Sequence, residues 1–206
     1  MKNMNIVIGL CGGRLSGKDT VAEFIQEIYH DDVWICSLAD PIKEQYARIM
    51  NLDKSILYKQ GKTKEQHRIG LITLGAVRRS DNINWWCEAL HGTHENENVI
   101  IPDIRYANEL DYYKKHSNLF ILIEVSSLPE VLVSRGWKSS IADETPSESE
   151  HLGFVKQANY LIKNNGTKEN LKNKVKKIYN KFPKDTNFSL EYEWGSGKFP
   201  TYSNTR

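Results

Sequence analysis

Asn5-Ile6-Val7-Ile8-Gly9-Leu10-Cys11 is a nearly unbroken apolar run ending at a pair of glycines, and Thr20 to Tyr29 carries apolar residues at Val21, Phe24, Ile25 and Ile28. The first pattern is that of a strand buried on both faces of a parallel sheet, the second that of an amphipathic helix. Between them lies Gly12-Gly13-Arg14-Leu15-Ser16-Gly17-Lys18-Asp19-Thr20, which fits G-x-x-x-x-G-K. In a strand–loop–helix of this kind the backbone N–H groups curl around phosphate oxygens, the helix adds its positive N-terminus, and the lysine reaches the β and γ phosphates. A purely structural turn requires neither the lysine nor both flanks. Gly12, Gly13, Ser16, Gly17, Lys18, Asp19 and Thr20 are therefore the expected nucleotide-binding residues, with ATP as donor. The hydroxyl that normally follows the lysine and binds Mg²⁺ is replaced by Asp19, with Thr20 next. Either Asp19 through the ion's hydration shell or the Thr20 hydroxyl can hold the metal, and the choice stays open.

The same alternation continues along the chain. Val33 to Leu38 reads as a second strand, and Asp40-Pro41 opens a helix with proline in its first turn. A helix is expected from about Lys64 to Arg79, weakened by Gly70 and Gly75 and open to a break there. A short helix over Asn84 to His91, a strand from Val99 to Asp103, a crossover helix over Asn108 to Lys115 and a strand from Leu119 to Val125 follow. A helix near Pro129 to Arg135 leads into residues 136–152, rich in Ser, Glu, Asp and Pro, which read as a mobile lid. Asn159 to Ile162 is a last short strand, Asn164-Asn165-Gly166 a turn, and Lys168 to Tyr179 a lysine-rich amphipathic helix. The fold class implied is α/β, a parallel-sheet P-loop kinase of three αβα layers with a short lid. The expected organisation is one domain over residues 1–182, followed by a tail over 183–206 with no clear period.

A chain of 206 residues fits one domain of ordinary size. Its formal charge of +2 is too small to imply wholesale nucleic-acid binding. No apolar run approaches the roughly 20 residues of a membrane span, and the first residues lead directly into the strand, so no membrane, no signal peptide and a cytoplasmic location are expected. Cys11, Cys36 and Cys87 are odd in number without CxxC spacing and read as core thiols. The six histidines, His30, His67, His91, His94, His116 and His151, lack metal-hydrolase spacing and read as surface or core residues.

Phosphoryl transfer requires dispersed negative charge to be neutralised on donor and acceptor alike. Asp103 stands at the carboxyl end of a strand, where ligands bind in open α/β sheets, and suits either a Mg²⁺-organising or an acceptor-orienting carboxylate. The simpler alternative for it is a helix cap. Arg105 enters the same crevice with a guanidinium able to grip phosphate in a bidentate manner. Lys43, the Arg78-Arg79 pair, and Arg135 with Lys138 are further cations, and Arg135 at the lid entrance is placed to close over the transferring group. Lys18, Asp103, Arg105 and Arg135 are the expected catalytic residues; Lys43, Arg78, Arg79 and Arg105 are expected to bind a small phosphorylated acceptor. Trp85 and Trp86 read as core anchors, one with the option of lining the acceptor pocket, and Ser147 to Glu150 as a solvated acidic patch, a contact for the acceptor or the end of the lid.

Ser16-Gly17-Lys18-Asp19-Thr20, Leu38-Ala39-Asp40-Pro41-Ile42-Lys43, the segment Leu74-Gly75 to Trp85, Val99 to Arg105 with Asn108-Glu109, Ser147-Glu148 and Asn164 to Thr167 recur in the order of a known family. Over about residues 5 to 180 the chain resembles the phage-type deoxynucleoside monophosphate kinases, in which the Gly-Lys-Asp form of the loop is usual. The resemblance implies a deoxynucleoside monophosphate as acceptor, Lys18 on the donor phosphates, Arg105 on the acceptor phosphate, and Asn165-Gly166-Thr167 near the donor adenine. Animal-type phosphomevalonate kinases also look similar around Ser16-Gly17-Lys18-Asp19, Lys43 to Ala47 and Arg135-Gly136-Trp137. Residues 103–109 and 164–167 favour the first family. A phage kinase of hydroxymethylated bases in DNA, and a nucleotide-binding switch without catalysis, are weaker alternatives. A monomer or a homodimer, in a host cytoplasm if phage-encoded, completes the expectation.

Overall fold

The computed structural model describes residues 2–29, 32–58, 62–139 and 145–183. Strand β1 (Met4–Cys11) is buried at every position but Asn5, which is what an apolar run without polar alternation demands of a central strand. It pairs in parallel with β3 (Val99–Ile101) on one side, Ile8 opposite Ile100, and with β4 (Ser117–Ser126) on the other, Ile8 opposite Ile121. β2 (Trp34–Ile35) and β5 (Tyr160–Lys163) flank these, giving the five-stranded order β2-β3-β1-β4-β5, parallel throughout.

Helices cover both faces. Val21, Ala22, Phe24 and Ile25 of α1 (Lys18–Tyr29) and Leu171 and Val175 of α9 (Lys168–Tyr179) pack with Ile8, Ile100, Ile121 and Ile123. On the opposite face Ile42 of α2 (Ala39–Met50), Trp86 and Leu90 of α5 (Trp85–His91), and Leu110 and Tyr113 of α6 (Ala107–His116) pack with Val7, Val99, Ile101 and Phe120. Each fully buried Ile, Leu or Phe in these layers contributes on the order of 1.5–3 kcal/mol. The three-layer α/β expectation holds. Cys11, Cys36 and Cys87 are free buried thiols, and burial pushes all three above the ordinary thiol range, Cys11 and Cys36 to about 12.

Four local expectations differ from the structure. The second strand was expected over Val33 to Leu38 but stops at Ile35, because the backbone at Leu38 and Ala39 is drawn onto Asp103 to begin α2. The helix expected from about Lys64 to Arg79, open to a break at Gly70 or Gly75, runs unbroken as α4 (Lys62–Asp81). Gly70 serves a contact, since a Cβ there would lie 2.6 Å from the Tyr46 ring, and the Gly75 backbone carbonyl accepts the Trp86 indole N–H at 3.1 Å. A short helix, α3 (Ser55–Tyr58), was not expected. Trp86 is a core anchor, whereas Trp85 is 38% exposed under the Arg78 guanidinium.

After α7 (Pro129–Ser134) the chain turns at Gly136, and residues 140–144 of the expected lid lie outside the described residues. The remainder of that segment folds back as α8 (Pro146–Ser149) and a 3₁₀ turn whose His151, followed by Phe154, is buried. Phe182 packs against Tyr160 and Tyr179; His30 and the tail from 184 lie outside the described residues.

Candidate active site

The loop after β1 closes on two glycines with positive φ. At Gly12, φ +134°, a Cβ would collide with the Val125 carbonyl at the end of β4; at Gly17, φ +100°, it would collide with the Asn164 side chain. Only glycine adopts such backbone geometry without strain. The loop's concavity is thus built by the neighbouring strand ends. Lys18 Nζ donates to the carbonyls of Gly12 and Gly13, both at 2.9 Å, so the ammonium lies across the loop mouth. No atom lies within 4 Å of a Cβ built on Gly13. The Ser16 hydroxyl is buried with no hydrogen-bond partner, an orphaned polar atom within a cradle shaped for an anion. With α1 starting at Lys18, these features fit a nucleotide phosphate.

Asn164, missed as a site residue in the sequence, and Arg135, expected in another role, hold the cradle in place. Asn164, 5% exposed at the end of β5, donates through its amide to the Ser16 carbonyl at 2.8 Å. The Arg135 guanidinium bridges the Leu15 carbonyl at 3.1 Å, Ser127 Oγ at 3.0 Å and the Asn164 carbonyl at 2.9 Å, with a longer contact to the Ser16 carbonyl at 3.5 Å. Arg135 is therefore tied down on the P-loop from beneath α7, a different placement from an arginine free to swing over the reacting group. Arg14 donates to the Lys138 carbonyl at 2.8 Å, linking loop and lid entrance. Asn165 accepts from the Leu128 N–H at 2.8 Å, at the start of α7, while Gly166 lines the cleft.

From this cradle a cleft of about 1250 Å³ extends across the carboxyl ends of β1, β3 and β2 to α4. Asp103 accepts from Ser37 Oγ at 2.7 Å, Leu38 N–H at 2.9 Å and Ala39 N–H at 3.0 Å, so it caps α2 from a neighbouring strand. Asp40, in the first turn of that helix, takes Lys43 Nζ at 2.8 Å, and the same ammonium sits 4.3 Å from the Tyr58 ring centre. Burial, with Asp40 and Glu44 nearby, pushes the Tyr58 hydroxyl up to about 12. The Arg pair splits: Arg79 lines the cleft, while Arg78 stacks at 4.8 Å over Trp85 and reaches the Gln45 amide. Arg79 lies 4.1 Å from the Tyr106 ring centre and donates to Glu109 Oε1 at 3.2 Å. Glu109 is 2% exposed, and its other oxygen accepts the N–H groups of Arg105 at 2.8 Å and Tyr106 at 3.1 Å. Desolvation raises its carboxyl to about 7 against the opposing pull of Arg79 and these two N–H groups.

Lys18, Asp19, Thr20, Lys43, Arg79, Asp103, Arg105 and Arg135 thus meet on one cleft. Arg68 lines it as well and escaped the sequence reading, although its spacing with Ile72, Gly75 and Arg79 marks one helical face. Among the described residues no group of three or more His, Cys, Asp or Glu converges on a metal position.

The sequence matches the model of the phosphomevalonate kinase family over residues 10–119, more than half of the chain. This chain belongs to the phosphomevalonate kinase family. It is 28% identical over 153 residues to the phosphomevalonate kinase of Drosophila melanogaster, covering 70% of this chain and 80% of the fly protein. Similar solved structures include the shikimate kinase of Acinetobacter baumannii in complex with shikimate, at 14% identity and a TM-score of 0.49, covering 85% of this chain and 91% of that one. The shikimate kinase of Bacteroides thetaiotaomicron is another, at 16% identity and a TM-score of 0.48, covering 86% and 96%. The protein is a P-loop, ATP-dependent kinase. The family is the one that the sequence motifs ranked second, and the deoxynucleoside monophosphate implied by the first has no support in these matches. No described helix is long and apolar enough to cross a membrane.

Proposed function

We propose that this kinase transfers the γ-phosphoryl group of ATP to the phosphate of mevalonate 5-phosphate, giving ADP and the diphosphate. Membership of the family supports the reading, and the acceptor side of the cleft carries it. Mevalonate 5-phosphate has a phosphate at one end, a carboxylate at the other and between them a short chain whose branch carbon bears a methyl and a hydroxyl group. Lys43, Arg68, Arg79 and Arg105 stand around Ile42, Leu71 and Ile72, cations about an apolar floor.

In this reading Lys18 and the loop N–H groups hold the β and γ phosphates, and Arg135 and Asn164 keep the loop rigid beneath them. The acceptor oxygen belongs to a phosphate and is already ionised, so it attacks phosphorus in line without a general base. Arg79 and Arg105 orient it and offset the repulsion between two anions. Asp103 keeps the start of α2, and with it Lys43, in register with the cleft. Mg²⁺ bound with ATP neutralises charge on the transferring phosphates. Asp19 and Thr20 line the cleft beside Lys18, and such a hard oxygen set fits an ion that takes one or two carboxylates together with phosphates and waters.

A coupled ADP-release assay with mevalonate 5-phosphate, a panel of deoxynucleoside monophosphates and hydroxymethyluracil DNA tests the assignment. Mevalonate 5-phosphate should have the highest kcat/KM of the set. A deoxynucleotide that outcompetes it would overturn the proposal.

A further inference from the structure

Arg79 comes from α4 and Arg105 from the loop after β3, and nothing in the chain's connectivity fixes one relative to the other. A single side chain touches both settings. Glu109 lies in the first turn of α6, is 2% exposed, and divides its two oxygens between them: Oε1 takes the Arg79 guanidinium, and Oε2 takes the backbone N–H of Arg105 and of Tyr106. The Tyr106 ring in turn lies under Arg79, so the arrangement closes on itself. An isolated buried carboxylate is costly, and this one serves at once as the N3 residue of the capping box at Tyr106 and as the partner of Arg79.

We propose that Glu109 is a positioning residue for the acceptor, fixing Arg79 and the Arg105 loop at one spacing so that both cations meet the same bound anion. The inference rests on the acceptor reading above for its kinetic arm only. Charged and titratable groups around the carboxylate are few: Arg79 from α4, Asp103 from the end of β3, Cys87 from α5, and Tyr106 and Tyr113 at the start and middle of α6. Arg79 and the two N–H groups favour the ionised form; burial and Asp103 oppose it. The carboxyl consequently titrates near 7, and in its neutral form it no longer holds Arg79 as an ion pair.

Glu109→Gln separates this role from simple packing. The amide oxygen can still accept from Arg105 and Tyr106, but the NH₂ group turns a donor toward Arg79. The expected result is a KM for mevalonate 5-phosphate raised about ten- to hundredfold with the ATP KM within about twofold. The wild-type acceptor KM should also rise as pH falls through 7 by more than that of the variant, which controls for titration of the acceptor phosphate itself. Unchanged acceptor KM, or equal increases for both substrates, overturns the proposal. A second arm needs no acceptor: in the unliganded wild type, the Arg79 Nε–H and Arg105 amide NMR signals should titrate together with a midpoint near 7, and in Glu109→Gln they should not. Independent behaviour of the two signals in the wild type rejects the inference even where mevalonate 5-phosphate is a good substrate, and a shared titration upholds it even where another acceptor is used.

Discussion

Arg135→Ala distinguishes an arginine that builds the P-loop from one that acts only on the transferring phosphoryl group. In the structure its guanidinium spans Leu15, Ser127 and Asn164 at 3.1, 3.0 and 2.9 Å. A hydrogen bond from a charged donor contributes about 1.5–3 kcal/mol when buried, and much less where water can replace the partner. Arg135 is half buried, so the three bonds together should be worth about 1–2 kcal/mol. For a domain of this size that lowers Tm by roughly 2–8 °C. Because the Leu15 and Ser16 carbonyls among its acceptors belong to the P-loop, the same loss should loosen the phosphate cradle and raise the ATP KM about tenfold. Arg135→Lys should recover little, since a compact ammonium lacks the planar fork that spans Leu15, Ser127 and Asn164 together. Thermal unfolding and steady-state kinetics read both effects. A variant with unchanged Tm and unchanged ATP KM but a large fall in kcat would refute the loop-building role and restore the arginine to the reacting group.

Three other outcomes follow from the same geometry. Lys18→Ala should lower kcat/KM by about a thousandfold or more while circular dichroism and Tm stay near wild type; full activity would reject the donor site. Gly70→Ala sets a helix-propensity gain of about 1 kcal/mol against a Cβ placed 2.6 Å from Tyr46. Overpacking of about 1–3 kcal/mol should win, and a stabilised variant in urea unfolding would contradict the close helix approach. For Glu109, the folded carboxyl is raised from its ordinary 4.5 to about 7, so the native state binds a proton more tightly than the unfolded chain between those values. Stability from this group is complete below pH 4.5 and falls as pH rises through 7, by roughly 3 kcal/mol in all. Glu109→Gln should flatten that decline in denaturant melts at pH 4.5 to 8, and an identical slope in both proteins would contradict it.

The central strand, the loop and α1 were legible in the sequence because unbroken burial and a helical period are both local signals. The termination of β2 was not, because it depends on Asp103, more than sixty residues further along the chain, pulling backbone N–H groups out of the ladder. The continuity of α4 through Gly70 was hidden for the same reason: the glycine's cost in propensity is local, whereas the close approach of Tyr46 to it is tertiary. At the site, the loop residues follow from a motif, but Asn164 and the tethering of Arg135 belong to contacts between strand ends that leave no spacing to read. The acceptor side was partly readable. Arg79 and Arg105 stood out as cations, while Arg68 and Arg78 exchange roles according to which face of α4 meets the cleft.

The acceptor is the centre of the functional reading, and ³¹P NMR of the products formed from ATP and mevalonate 5-phosphate tests it most directly. Loss of the acceptor's monophosphate signal, with a new diphosphate pair appearing in step with ADP, is the expected result. ADP with inorganic phosphate and no new diphosphate, or no turnover while a deoxynucleoside monophosphate is converted under the same conditions, would contradict it.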